Sequence, residues 1–208
     1  AEPVAGRNTL RVLQKSMHGS SFKVDKGVQG TRKAIAEAIK ANSTQFDEAD
    51  VWSDWTTTVT KNSPESILLV VHTEKHAIRN IDQLEIGRTL LIQNHIGSKV
   101  LISHKIKIPR FVVIIGCETS NNLNTGFDIA SSFLNEGAAV VVSNFTKIRG
   151  RQAKDIIVTL MLLLKSNKGK EFTFGEIMLK LRQQLLAQGM IAALTILAQG
   201  DADWKIKL

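Results

Sequence analysis

The segment FVVIIGCETSNN, residues 111–122, decides the fold class of this 208-residue chain. Its first six residues are an uninterrupted apolar run rich in β-branched side chains. Such a run is typical of a strand buried on both faces, as in a parallel sheet covered by helices. The run stops at Cys117, the single cysteine of the chain, and polar residues follow. The segment therefore predicts a buried strand whose carboxyl end carries a thiol.

Similar apolar runs alternate with helical patterns along the rest of the chain. Strands are predicted for SILLVV (66–71), AAVVVSN (138–144) and IAALTIL (191–197), more weakly for TLRVLQ (9–14), and as an edge strand or hairpin for HKIKIP (104–109). Helices are predicted for residues 31–42, 125–137, 150–166 and 173–189. Alternation of this kind indicates βαβ units and a doubly wound α/β sandwich. We expect one domain over residues 1–208.

Composition narrows the class of protein. A net charge of +8 and a pI near 9.7 favour binding to an acidic partner. Aromatic residues make up only 5% of the chain and include no tyrosine, so a surface that stacks on nucleic-acid bases is poorly supported. We therefore expect contact with nucleic acid to be at most indirect. A single cysteine excludes an internal disulfide framework and a cysteine-based zinc cluster. It suits a reducing, cytoplasmic setting. The longest apolar block is far shorter than the roughly 20 residues that span a bilayer, so no membrane association is expected.

Two predicted strands end in side chains that could react together. The strand over 66–71 runs into His72 and then His76, and the strand over 111–116 runs into Cys117. Neighbouring parallel strands lie about 4.8 Å apart and end at the same edge of a sheet. An adjacent imidazole would make the cysteine a thiolate nucleophile at neutral pH. The alternative is that Cys117 is a small buried apolar residue and the histidines are structural.

These residues resemble the CHAT domains, caspase-like cysteine peptidases related to separase. LLVVHTEKHA (68–77) resembles the family's hxHxxxHG signature, and VVIIGCETS (112–120) resembles hhxACxTG. The following TGFDIASSFLNEGAAVVVSNF (125–145) matches the family's helix and strand in order and spacing, and LTILAQGDADWKI (194–206) resembles its closing strand and turn. The resemblance implies a caspase-like three-layer α/β/α sandwich with a mostly parallel central sheet.

The resemblance also assigns roles to residues. Cys117 would be the nucleophile, His76 the general base and acid, and His72 a structural histidine. The backbone N–H groups of Ala77 and Cys117 would form the oxyanion hole. No metal or organic cofactor is implied. Domains of this family commonly lie downstream of repeat or sensor modules, some of them linked to prokaryotic immunity such as CRISPR systems. The resemblance therefore implies that a regulatory domain or partner protein controls the peptidase activity.

This chain departs from the family pattern in three places. Ala77 and Ser120 stand where the family has glycine, and the acidic residues expected after the strand are replaced by the basic segment SNFTKIRG (143–150). Lys147, Arg149 and Arg151 therefore become candidates for an S1 pocket that accepts an acidic P1 residue. The same departures favour an alternative, a catalytically weakened scaffold module. A nucleotide-binding domain is disfavoured, because no phosphate-binding glycine motif follows a predicted strand.

Overall fold

The computed structural model describes residues 17–20, 29–41, 46–49, 51–62, 66–75, 82–86, 89–91, 96, 111–116, 129–167 and 170–207. The α-helices within these ranges are α1 (Gln29–Lys40), α2 (Trp52–Asn62), α3 (Ile129–Asn135), α4 (Gly150–Ser166) and α5 (Phe174–Ala187). The strands are β1 (Met17–Ser20), β2 (Phe46–Ala49), β3 (Ser66–Lys75), β4 (Asp82–Ile86), β5 (Thr89–Leu91), β6 (Phe111–Gly116), β7 (Val140–Asn144), β8 (Glu171–Thr173), β9 (Ile196–Gly200) and β10 (Lys205–Lys207).

The central sheet is mostly parallel, as the apolar runs predicted. Its order is β2-β1-β3-β6-β7-β9, and every neighbouring pair up to β7 is parallel. β9 joins the outer side of β7 in the antiparallel direction. The strands β4 and β5 extend from the end of β3 as an antiparallel ribbon, and β8 pairs with β10 in a separate two-stranded sheet.

Helices cover both faces of the sheet because successive residues of a strand point to opposite sides. One face of β6, carrying Phe111, Val113 and Ile115, packs with residues of α1, α4 and α5. The other face, carrying Val112 and Ile114, packs with residues of α2 and α3. All six residues of β6 are buried, so the strand lies at the centre of a three-layer α/β/α sandwich.

Features of the sequence explain why the two longest helices, α4 and α5, form. α5 begins with a reciprocal cap: the Thr173 hydroxyl accepts from the Glu176 N–H, and the Glu176 carboxylate accepts from the Thr173 N–H at 2.8 Å. α4 buries an apolar stripe that includes Ile156, Leu160 and Leu164. Among the described residues, no helix combines the length and the apolar character that a membrane crossing requires.

Most sequence predictions of the elements are confirmed, and one is wrong. Residues 66–71, 111–116 and most of 138–144 are strands, and helices occupy the predicted segments where these are described. The predicted strand over 191–197 is instead a 3-10 helix, Ile191–Thr195, followed by β9.

The register of β9 explains the error. Its first residue, Ile196, pairs with Asn144, the last residue of β7, so the preceding residues run past the end of their partner strand. Beyond the last strand pair they form a 3-10 helix, and Ile191 remains 76% exposed. The predicted segments 9–14 and 104–109 lie outside the described residues.

Candidate active site

The carboxyl ends of three adjacent parallel strands form one edge of the sheet, which we call the carboxyl rim. β3 and β6 are paired from Ser66↔Phe111 to Val71↔Gly116. β6 and β7 are paired from Phe111↔Val140 to Val113↔Val142. The strand that leads to the histidines and the strand that leads to the cysteine are therefore direct neighbours. They run in the same direction and reach the same rim.

The predicted catalytic residues begin where these strands end. Cys117 is the residue after Gly116, and His76 is the residue after Lys75, the last residue of β3. Cys117, His76 and Ala77 lie outside the described residues. What the backbone establishes is the neighbouring, parallel placement of the two strands.

His72 lies within β3, whereas His76 is the residue after its last one. His72 is the first residue of β3 beyond the last pair with β6, and its backbone pairs with Glu85 of β4. β3 then continues to Lys75, about 13 Å beyond Val71 at the usual rise of a strand. His72 is thus one residue beyond the last pair with β6, whereas His76 comes after the last residue of the strand.

A buried amide joins the ends of β6 and β7. Asn144, the last residue of β7, is 0% exposed. Its Nδ2 donates to the Gly116 carbonyl at 2.6 Å, and its Oδ1 accepts from the Gly116 N–H at 3.1 Å. Asn144 thus contacts the residue directly before Cys117.

The segment after β7 carries the predicted basic residues. We call residues 145–151 the basic loop, and its last two residues, Gly150 and Arg151, are the first two of α4. Its side chains Lys147, Arg149 and Arg151 are exposed, whereas Ile148 is buried and fixes the loop to the core. The Arg149 N–H donates to Oε1 of Gln152 at 3.0 Å, where α4 begins. The structure therefore brings the three predicted cations to the same rim as the strand ends, since β7 is parallel to β6.

A second set of contacts ties the basic loop to the 3-10 helix that precedes β9. The Asn144 amide also donates to the Thr146 carbonyl at 2.6 Å, and the Thr146 hydroxyl contacts the Thr195 hydroxyl at 2.9 Å. The Phe145 N–H donates to the Thr195 carbonyl. Sequence reasoning does not identify Asn144 as a site residue, because the pattern indicates only that an apolar strand ends there. The signal was a carboxamide closing the fully buried run VVVSN.

Comparisons with known proteins find similar structures but no matching sequence. No protein-family model matches the chain, and no curated protein matches its sequence. The crystal structure of gingipain R, an Arg-specific cysteine proteinase, is similar with a TM-score of 0.68 and 11% identity over 95% of this chain. The complex of the Porphyromonas gingivalis RgpB pro- and mature domains is similar with a TM-score of 0.65 and 11% identity over 97%.

A third neighbour is similar over most of both chains. The Drosophila initiator caspase Dronc has a TM-score of 0.52 and 11% identity, over 99% of this chain and 91% of its own. This chain spans about half the length of the two gingipain chains, 49% and 50%. Identities this low show the fold and nothing finer. The chain has the caspase-like fold, an α/β/α sandwich around a mostly parallel sheet.

Proposed function

We propose that the chain is a caspase-like cysteine endopeptidase of the CHAT type that cleaves a protein substrate through a Cys-His dyad. The observation that carries the proposal is the parallel pairing of β3 with β6 up to Val71↔Gly116. It supports a site in which the residues after these two strands meet at one rim. The caspase-like fold is consistent with this chemistry.

The proposed reaction has two stages. The Cys117 thiolate attacks the scissile carbonyl, and the N–H groups of Ala77 and Cys117 stabilise the resulting oxyanion. The imidazolium gives its proton to the departing amine, and the carbon–nitrogen bond breaks to leave a thioester. Water, deprotonated by the same imidazole, then attacks the thioester, which releases the acid and restores the thiol. The steps use residues of the chain and water.

The base in this proposal is His76, as the family resemblance assigns it. The register supports a second candidate, because His72 directly follows Val71, the partner of Gly116 in the last pair of the two strands. For His76 to act, the segment after Lys75 must fold back from the end of β3 toward the rim. The two assignments make opposite predictions for the single alanine variants, so the experiment below includes both.

The basic loop supports a preference for an acidic P1 residue. Lys147, Arg149 and Arg151 are exposed at the rim, and none of them forms an ion pair with another residue that the structure describes. Cations at an S1 pocket would attract Asp or Glu and repel Arg or Lys. Gingipain R, by its description, is Arg-specific. We propose the opposite charge preference for this chain.

The proposal includes regulation by a partner, in a prokaryotic defence or signalling setting. Its support is the CHAT resemblance, since domains of that family lie beside sensor modules. In this view the domain stays silent until a partner or ligand orders its histidine or S1 segment. The prediction is low activity in the isolated chain and higher activity in the presence of the natural partner.

The test is a positional-scanning peptide library incubated with the wild-type chain and three variants, Cys117→Ala, His76→Ala and His72→Ala. We expect cleavage after acidic residues in the wild type and a loss of at least about 10³-fold with Cys117→Ala. A similar loss with His76→Ala alone supports that residue as the base. A loss of activity in His72→Ala alone would identify His72 as the general base.

A peptide electrophile separates the enzyme from the scaffold alternative. An acidic-P1 acyloxymethyl ketone should label Cys117 of the wild type even where turnover is slow, because labelling needs one attack and no release. If the chain cleaves no peptide, and the electrophile reacts with Cys117 no faster than with a model thiol at pH 7, the peptidase proposal fails. A non-catalytic scaffold is then the better account.

A further inference from the structure

β9 is the last strand of the central sheet, and no strand in the described ranges pairs with its outer side. Two backbone bonds next to its ladder with β7 fix which residues face that side. The Phe145 N–H donates to the Thr195 carbonyl, and the Asp201 N–H donates to the Ala139 carbonyl. Since bonded pairs alternate along an antiparallel ladder, the even-numbered residues of β9 direct their backbone groups away from β7.

The outward backbone groups of β9 have partners at one end only. The Ile196 N–H donates to the Ala193 carbonyl, and the Ile196 carbonyl accepts from Nη2 of Arg182 at 2.9 Å. Ala198 and Gly200 are exposed, and within the described part of the chain no backbone group bonds to their outward side. The strand, ILAQG, contains neither a charged residue nor a proline, the usual protection of an edge. This edge is therefore open to the addition of a strand.

Exposed apolar side chains lie beside the open edge. Leu179 and Leu186, 55% and 39% exposed, are seven residues apart on one face of α5. Arg182 lies between them on that face and bonds to β9, so the face lies on the outer side of the strand. Ile191 and Leu194, 76% and 60% exposed, belong to the 3-10 helix directly before β9. We call β9 together with these four leucine and isoleucine residues the lateral edge.

The two ends of the lateral edge differ in charge. At the carboxyl rim, the 3-10 helix is hydrogen-bonded to the basic loop, where Lys147 and Arg149 are exposed. At the opposite end, Asp201 and Asp203 are exposed after β9. A segment that covers the edge is therefore matched best when its acidic residues lie at the rim end.

We propose that the lateral edge is the docking site for an extended segment of a partner protein, with apolar residues and an acidic end, that adds to β9 as a strand. Ala198 and Gly200 supply the backbone hydrogen bonds, and the exposed side chains of α5 and the 3-10 helix supply the apolar contacts. A second copy of the chain would bring another net charge of +8 to this surface, whereas an acidic segment neutralises the basic loop.

The inference gives a surface to the regulatory partner of the proposed function, and it rests on that proposal only for the partner's role. The binding itself needs no peptidase chemistry. Binding and cleavage can therefore be measured separately on the same full-length chain.

The probe is a short fluorescein-labelled peptide of alternating leucine and threonine that ends in two glutamates. It is made in both chain orders, because an added strand can run in either direction. One control peptide has lysines in place of the glutamates. A second control has every backbone nitrogen of its apolar part methylated, which removes the strand hydrogen bonds and keeps the side chains. Fluorescence anisotropy measures the dissociation constant with the wild type and with each variant.

We expect at least one order of the acidic peptide to bind the wild type at least about 10-fold more tightly than both control peptides. Leu194→Asp should weaken this binding at least about 10-fold, since burial of one leucine side chain supports a factor of this size. The matched control is Leu162→Asp. Leu162 is 57% exposed and lies on α4, outside the lateral edge, so its substitution should change binding less than about 2-fold.

Ala198→Pro tests the strand geometry directly. It removes an outward N–H of β9 at an edge position, where proline is tolerated. Binding of the acidic peptide should weaken at least about 10-fold. If this variant does not fold, the methylated peptide tests the same hydrogen bonds on the wild type.

The inference is overturned if neither order of the acidic peptide binds more tightly than the controls, or if Leu162→Asp and Leu194→Asp weaken binding equally. It is also overturned if the wild type sediments as a dimer that Leu194→Asp dissociates, because the edge then belongs to a second copy. An inactive chain that binds the peptide at the lateral edge refutes the peptidase proposal alone. An active chain that does not bind it refutes this inference alone.

Discussion

The strands β6 and β7 are held differently in their interiors and at their carboxyl ends. In the interior, Ile114 and Val141 are apolar, fully buried and packed between helices. At the ends, Gly116 and Asn144 are joined by hydrogen bonds from a buried amide. The comparison teaches that apolar packing holds the interior of these strands, whereas side-chain hydrogen bonds join their ends. Substitutions in the interior should therefore act on stability and not on kinetics.

The largest effect on stability is expected from Ile114→Ala in the interior. Ile114 is 0% exposed, and its removal leaves a cavity between the sheet and the layer of α2 and α3. The free energy of unfolding should fall by about 2–5 kcal/mol, against about 0.5–1.5 kcal/mol for Ile114→Val. Urea unfolding measures both. A loss of stability below about 1 kcal/mol, or a kcat per folded molecule at least about 10-fold below wild type, would erase the distinction between interior and end.

The next effect is expected at the opposite end of β7, where β9 finishes. Gly200 has φ of 109°, and a Cβ there would lie 2.2 Å from the Ala139 carbonyl oxygen. Gly200→Ala should lower the free energy of unfolding by more than about 1 kcal/mol. Gly150→Ala is the matched control, because a Cβ at Gly150 meets nothing within 4 Å. Equal stabilities of the two variants in thermal unfolding would contradict this packing of β9 on β7.

A smaller effect is expected from charge reversal in the basic loop. Arg149→Glu should reduce the preference for Asp over Arg at P1 by about 10-fold, which corresponds to about 1.4 kcal/mol. Its free energy of unfolding should stay within about 0.5 kcal/mol of wild type, since Arg149 is exposed. Lys180→Glu on the exposed side of α5 has the same charge change and should leave the P1 preference unaltered. An equal shift in both variants would indicate general electrostatics and not an S1 role.

The smallest effect is expected from Thr173→Ala at the start of α5. The substitution removes the hydroxyl that caps the Glu176 N–H and should cost about 1 kcal/mol of stability. The start of α5 contacts Ala202 and Trp204, which follow the end of β9 beside Val140, the residue of β7 farthest from the rim. We therefore expect kcat and KM not to change. Denaturant unfolding and peptide cleavage measured on the same preparation check both statements. A change in kcat with unchanged stability would show that α5 reaches the site.

The sequence predicted the strands whose environment is uniform. β6 matched residues 111–116 and α4 matched 150–166, because a run of buried residues and an apolar stripe each have one stable arrangement. The run over 191–197 failed, because its residues are apolar but Ile191 and Leu194 are exposed beyond the end of β7. The register between two strands decides which residues of an apolar run have a strand partner. A local sequence pattern carries no information about that register.

The candidate site was predicted in outline only. The neighbouring placement of the strands that lead to His72 and Cys117 was expected, and their pairing is confirmed. The position of His72 beyond the last β3–β6 pair and the bonds of Asn144 depend on where the two ladders end, which a sequence pattern does not contain. The assignments of His76, Cys117 and Ala77 remain predictions, since those residues lie outside the described ranges.

The measurement that tests the central claim most directly is the rate of Cys117 alkylation by iodoacetamide as a function of pH. The chain has one cysteine, so every adduct reports that residue. If an imidazole beyond β3 activates the thiol, Cys117 should react at pH 7 at least about 10-fold faster than a model thiol. Either His76→Ala or His72→Ala should return it to the model rate. A wild-type Cys117 that matches the model thiol at every pH, with both histidine variants unchanged, would contradict the account.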